Sequence, residues 1–139
     1  MASFGTRVGL VSEGVPLISN LNVWSNIALI PQYHRNMPWR EAKGLAEEWL
    51  DRLGMKSISG KRNTSLTEEE RFCAMVLRAA MVADAVLVLD RPFYIVSNLR
   101  NADFIMETLR KIDDLIAEAY IFDYIWENDR YGVLDDKES

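Results

Sequence analysis

Residues Ala85 to Pro92 read AVLVLDRP, and the side chains at the end of that run set the chemical question. A short apolar stretch, Val86 to Leu89, delivers the carboxylate of Asp90 to its end, and Pro92 then turns the chain. A buried parallel strand carries an acid to the rim of a ligand site in this way. The next residue is Arg91. A guanidinium stays protonated at any working pH, so Arg91 can serve neither as a general base nor as a metal ligand. A second constellation lies upstream, in Thr67-Glu68-Glu69-Glu70. Thr followed three residues later by Glu is the capping-box pattern, which places a helix start at Thr67. Glu68 and Glu69 then add negative charge to the first turn, where it stabilises a helix by about 0.3–1 kcal/mol each.

Other reactive types are sparse. The chain of 139 residues holds one cysteine and one histidine, too few for a zinc site of the Cys/His kind and for an intrachain disulfide. Cys73 lies in an apolar helical stretch and reads as a small core residue. His34 has no acidic or cysteine partner at ligand spacing and reads as an exposed helix-end residue. No Gly-x-Ser-x-Gly and no Cys/His arrangement points to covalent catalysis. The 16 basic residues are outnumbered by 21 acidic ones, and no basic stripe suggests nucleic-acid binding. No apolar run reaches the ~18 residues that cross a bilayer. Lone-cysteine usage points to a reducing compartment. The expected location is the cytoplasm, peripheral to the inner membrane only through a partner.

The elements that must position these groups follow from patterning. With 49% apolar residues the length suits one domain, spanning 1–139. Arg7 to Ser12 reads as a first strand, followed by a turn at Glu13 to Pro16. Asn22 reads as the N-cap of a helix through Val23, Trp24, Ile27, Ala28 and Ile30, ended or kinked at Pro31. A second helix is predicted over Pro38 to Leu53, capped by Asn36 and stopped by Gly54. Its apolar stripe is Trp39, Ala42, Leu45, Trp49, Leu50 and Leu53. Ser57 to Ser65 reads as a loop. A central helix, apolar nearly all round from Phe72, runs from Thr67 to about Ala83. Phe93 to Arg100 reads as irregular. A fourth helix is predicted over 101–118, a last strand over 119–126, and a fraying tail over 130–139. The fold class is α/β, with a parallel sheet of about three strands near 7–12, 85–90 and 119–126. A helical subdomain, about 22–83, is inserted between the first two strands.

Several of these segments, in order, resemble the ATP-binding subunits of ABC transporters. VGLVSEGVPLISNLNVWSNIAL is similar to the stretch that opens at the Gln loop and continues through the L-x-V-x-x-N-I helix. LTEEERFCAMVLRAAMVADAVLVLDRP is similar to the signature helix and the Walker B strand, which in the family usually ends Asp-Glu-Pro. Leu21-Asn22-Val23 is similar in wording to importer-like and lipid-trafficking branches. The resemblance implies a partial P-loop-NTPase-like fold. It also implies vestigial nucleotide-site positions at Glu13 (Gln loop), Thr67, Glu68, Glu69 and Glu70 (signature), Asp90 (Mg²⁺ support) and Arg91 (the polarising Glu).

The departures are consistent in direction. No G-x-x-x-x-G-K-[ST] occurs, and the resemblance begins about where the family has completed that motif, so an N-terminally truncated, degenerate relative is expected. The Gln loop and the signature are altered, and the switch histidine is missing, with Asn128 or its neighbours near its place. ATP and Mg²⁺ are not expected to bind productively, and no cofactor or metal is expected. The expected function is that of a non-catalytic pseudo-ATPase, a binding or regulatory module for a transporter component. The alternatives are half of a nucleotide-binding domain completed in trans by a P-loop-bearing chain, or a diverged remnant with an unrelated interaction role. Expected partners are a second copy, a permease or an intact ATPase subunit, with no nucleic acid and no direct membrane insertion. Trp24, Trp39, Tyr120 and Phe122 are the candidate partner-surface residues. Loss of the family's neighbouring strand and helix would leave the last strand as an edge and one sheet face bare.

Overall fold

The computed structural model describes residues 7–124 and 127–132. Three strands form one parallel sheet in the order β1 (Val8–Val11), β2 (Ala85–Asp90), β3 (Ile116–Phe122). Between β1 and β2 lie the helices α1 (Val23–Ile27), α2 (Leu29–His34), α3 (Trp39–Arg52) and α4 (Glu68–Ala80). After β2 come the short α5 (Pro92–Ile95), then α6 (Asp103–Lys111), β3 and α7 (Asn128–Tyr131). One hydrophobic cluster joins β1, α1, α3, α4, β2, α5 and α6.

α4 is the centre of that cluster. Phe72 to Leu77, Ala79 and Ala80 are all buried, as its unbroken apolar sequence predicts. The helix backbone presses directly on β1. A Cβ built at Gly9 would lie 2.2 Å from the Ala79 carbonyl oxygen, so the strand carries glycine where the helix crosses it. Arg78, at the end of the same helix, donates to the backbone carbonyls of Val15 and Pro16 and pins the turn that leaves β1. Burial lowers the Arg78 pKa, and both guanidinium ends are spent on carbonyls.

The N-terminal helices obey their caps with two corrections. Asn22 accepts from Ser25 N–H at 3.0 Å, as expected for an N-cap. Pro31 does not end the helix, however. The break falls at Ala28, and Pro31 sits inside the first turn of α2. The proline ring clashes with the carbonyl four residues back, Ile27, so the helix is interrupted there and restarts where a missing N–H costs nothing. Asn36 is not the cap of α3. It takes a left-handed φ of 51°, and Pro38 holds the cap position without a side-chain bond. Gly54, at φ 71°, stops α3 as predicted, with Met55 N–H bonded to the Leu50 carbonyl in a Schellman closure. The buried stripe of α3 is Ala42, Ala46 and Leu50, continued by Leu53, while Trp39 is half exposed.

Downstream boundaries also move. α4 ends at Ala80 rather than Ala83, and the expected loop at 57–65 contains two 3₁₀ turns, Lys56–Ile58 and Asn63–Ser65. Pro92 to Ile95 is helical rather than irregular, because Pro92 presets the first turn. The helix predicted over 101–118 stops at Lys111, and Ile116 opens β3 three residues ahead of the expected start. Leu115 and Ile116 fit a helical spacing from Ile112, but Ile116 pairs with Ala85 in the sheet, and that pairing overrides the local pattern. Arg130 and Tyr131 belong to α7, not to a loose tail; Tyr131 packs edge-on against Phe93 and donates to Asp123. The remainder of the expected tail, from 133, and residues 125–126 of the expected strand lie outside the described residues.

Gly9→Ala is expected to destabilise the protein by about 1–3 kcal/mol through overpacking, read as a lower urea midpoint with an unchanged slope. Cys73, 1% exposed, has its thiol pushed up to about 12 by burial, only partly offset by the Thr108 hydroxyl. The native protein should therefore resist thiol reagents at pH 8, with labelling tracking unfolding. The folded-state pKa lies above the unfolded one. The stability from the neutral thiol is therefore complete below pH 9 and lost as pH rises toward 12. A pH titration of the urea midpoint, compared with Cys73→Ala, checks it.

Candidate functional site

The C-terminal ends of β1 and β2 bring most of the sequence-predicted site residues together. Asp90 ends β2, and its carboxylate accepts from Ser12 Oγ at 3.2 Å, which ties the ends of the two strands. Ser12 Oγ also accepts from Gly14 N–H at 3.2 Å and so shapes the turn that presents Glu13. Glu13 is exposed there and lines a cleft of about 130 Å³ with Pro16, Glu68, Arg71, Met75, Tyr94 and Ile95.

Arg91 stands at the mouth of this region in a left-handed conformation, φ 50° and ψ 63°. This backbone is uncommon for a residue with a side chain. It is held by the Arg91 N–H, which donates to the Phe122 carbonyl of β3 at 2.6 Å. The guanidinium lies 3.4 Å from Asp90, donates to the Tyr124 hydroxyl at 2.9 Å, and rests over the rings of Tyr94 and Tyr124. Its pKa is raised, first by the Tyr124 hydrogen bond and then by the Asp90 charge. The Asp90 carboxylate is thus both paired with Arg91 and bonded to Ser12. Tyr94 and Tyr124 were not singled out from sequence. A Tyr two to three residues past a strand-end Arg-Pro is the only local cue, and Tyr124 reaches the site from the segment just after β3.

The N-terminus of α4 forms the other wall. Both halves of the capping box are made: Glu70 N–H donates to Thr67 Oγ1 at 3.1 Å, and Thr67 N–H donates to Glu70 Oε1 at 3.0 Å. Glu68 turns outward along the helix end and accepts from Ser97 N–H at 3.1 Å and from the Ser97 hydroxyl. Two of the three first-turn carboxylates are thereby bonded within the chain, and Glu69 is half buried. A helix N-terminus otherwise offers bare amides and a positive dipole end to an anion. Here side-chain oxygens bond two of its N–H groups, those of Thr67 and Glu70, and three carboxylates stand in the first turn. Among the described residues no group of three or more His, Cys, Asp or Glu could hold a metal ion, and no helix is long and apolar enough to cross a membrane.

The partner-surface candidates fall in two places. Trp24 and Trp39 stack at 6.3 Å, with Lys43 over one ring and Arg40 over the other. Tyr120 and Phe122 lie on β3, far along the chain from them and on the open side of the sheet. Asn26 was missed as a structural residue: fully buried, it accepts from Ile18 N–H and donates to the Ile18, Leu21 and Asn22 carbonyls. His34 is the exposed last residue of α2, as read from sequence. The side chain of Asn128, expected near the place of a switch histidine, lies outside the described residues.

Comparison with known proteins places these features. No protein-family model matches the chain. The lipoprotein-releasing system ATP-binding protein LolD of Nitratidesulfovibrio vulgaris is 33% identical over 92 residues, 66% of this chain and 39% of that protein. Two solved structures of the ABC transporter cassette MJ0796, both dimeric, share the fold. The one bound to ADP and Pi superposes with a TM-score of 0.64 at 18% identity, over 85% of this chain and 52% of that one. The other gives 0.63 at 19%, over 86% and 53%. The chain thus spans about two fifths to one half of the length of these proteins, and the three-stranded parallel sheet with its helices is a partial P-loop-NTPase-like fold. It is a relative of the ATP-binding subunits of ABC transporters.

Proposed function

We infer that this chain is a non-catalytic ABC-ATPase-like module that acts by binding a transporter component. One observation carries the reading: the helix N-terminus at the place of the family's signature motif holds three first-turn carboxylates, Glu68, Glu69 and Glu70, around the Thr67–Glu70 capping box, and that charge disfavours a phosphate there. Arg91 supports it from the other wall, since its guanidinium stands where a carboxylate would have to activate water and is already bonded to Tyr124 and Asp90. The partner on this reading is a permease or an intact ATPase subunit. The pair of half-exposed Trp39 and partly buried Trp24 is the contact surface on the helical side. Such a module sits in the cytoplasm and meets the inner membrane through that partner.

Asp90 keeps a second reading in view. Its carboxylate remains at the strand end, fixed by Ser12, where a metal-supporting acid belongs. A P-loop-bearing chain could use it in trans. Calorimetry with Mg-ATP distinguishes the two: the non-catalytic module should show a dissociation constant above about 1 mM, alone or with a candidate partner chain. Binding tighter than that sinks the first reading.

Arg91→Glu should leave phosphate release at the rate of buffer alone, because the cap at Thr67 and the altered turn at Glu13 are untouched. Measurable hydrolysis by this variant would overturn the proposal. Thr67→Ala should cost about 1 kcal/mol of stability, seen as a lower denaturation midpoint, without creating nucleotide binding.

A further inference from the structure

The acidic residues of this chain are unevenly placed. It holds 21 Asp and Glu, yet none occurs from Gly14 to Arg40 or from Arg52 to Thr67. The fold sets these two segments side by side. Val23 N–H donates to the Lys61 carbonyl at 2.9 Å, Trp24 N–H donates to the Ser59 carbonyl at 3.1 Å, and Asn22 pairs with Arg62 in an antiparallel bridge. The first segment also exposes large apolar side chains: Ile18 is 42%, Trp39 51% and Tyr33 78% exposed. Such residues are ordinary when scattered singly, but their grouping with cations and without acids marks a contact surface.

We propose that this acid-free face adsorbs to the surface of an anionic lipid bilayer. This rests on docking at the Trp24–Trp39 pair: a permease stands in a bilayer, so the face turned to one lies near the headgroups of the other. Charge complementarity selects the occupant. Lys43 lies over the Trp24 ring and Arg40 over the Trp39 ring, and Lys56, Lys61 and Arg62 stand exposed on the neighbouring segment. Arg35 and Arg52 are engaged elsewhere, with the Met81 carbonyl and with Asp114. On α3 itself Glu41 is exposed beside these cations, and Glu47 is half buried and accepts from the Ser59 hydroxyl at 2.7 Å. Glu48 and Asp51 lie further along the helix. Indole rings with cations against them suit a headgroup layer, where the ring sits at the interface and the Lys or Arg stem carries its charge out to phosphate. A nucleic acid calls for a denser array of cations and gives an aliphatic side chain such as Ile18 nothing to pack on.

Adsorption of this kind is weak and salt-dependent. Each Lys or Arg near an anionic leaflet improves partition about fivefold, a gain that fades beyond a Debye length. The net charge of −5 repels the rest of the chain from the same surface, which orients the molecule with the acid-free face toward the lipid. A few cations and a half-exposed indole therefore hold reversibly, with a partition constant comparable to that of a single acyl chain, about 10⁴ M⁻¹. The protein lies on the bilayer and does not span it.

Cosedimentation of the 139-residue chain with lipid vesicles tests it. Vesicles of phosphatidylglycerol and phosphatidylcholine in equal parts should bind the protein at about 0.05 M salt and about tenfold more weakly at about 0.5 M. Vesicles of phosphatidylcholine alone should not bind it. Binding should shift the indole emission to the blue, and Trp39→Phe should remove most of that shift while keeping affinity within about threefold. Lys61→Glu combined with Arg62→Glu should weaken binding about tenfold or more. Arg100→Glu combined with Arg110→Glu, an equal change of net charge outside the acid-free segments, should stay within about threefold of wild type. All four positions are exposed, and circular dichroism verifies folding. Failure to bind the anionic vesicles, equal binding to neutral ones, or an equal loss in the two charge-reversed proteins overturns the proposal. The first of these gives the face to an acidic protein segment. The vesicles hold no protein, so each of these outcomes leaves docking on a permease or ATPase subunit as it stands.

Discussion

The approach of α4 to β1 governs most of what this molecule can do. The helix backbone lies against the strand so closely that Gly9 has no room for a Cβ, and Arg78 locks the following turn to the same helix. A rigid seam of this kind fixes three things at once. It sets the depth of the central helix over β2, the position of the helix N-terminus relative to the strand ends, and the path of the turn that carries Glu13. Cores packed to crystal-like density transmit such constraints with little slack. The candidate site is therefore assembled by a packing contact that contains no functional residue.

At the site itself, local electrostatics set the character. A parallel sheet gathers strand ends and a helix start at one rim, and the usual occupant of such a rim is an anion. Here side chains of the rim bond to one another. Thr67 and Glu70 close the helix start, Glu68 holds Ser97, and Arg91 is clamped by Asp90 and two tyrosines. Each contact is modest, since exposed ion pairs contribute 0–1 kcal/mol or so. Together they bond the side chains of the rim to one another.

The sequence was most legible where one physical cause dominated. Thr67 with Glu70, Gly54 after an amphipathic run, Asn22 before one, and the apolar strand ending on Asp90 all took the structure that local chemistry dictates. It was least legible where a distant partner decided. Ile116 joined a strand because Ala85 was there to pair with it, and Arg91 took a left-handed backbone because the Phe122 carbonyl reached its N–H. Pro31 lay between these cases: its effect was real but was felt one turn earlier, at the carbonyl it would have struck. Of the two clamping tyrosines, Tyr124 had no signal in the run that it serves, since it is 33 positions from Arg91.

The order of strands has a kinetic corollary. β1 precedes β2 in the chain, its one sheet neighbour among the described residues is β2, and Ser12 meets Asp90 across 78 positions of chain. Closing so long a loop is entropically slow, and local helices form well before it. During synthesis at roughly 5–20 residues per second, the first strand therefore waits several seconds for its mate to emerge. In that interval Val8, Leu10 and Val11 lack the β2 partner that they pair with in the finished sheet. The four-residue length of β1 and the glycine at its second position make it a poor template for mispairing. The same glycine that admits α4 in the finished fold thus also protects the chain before the fold exists.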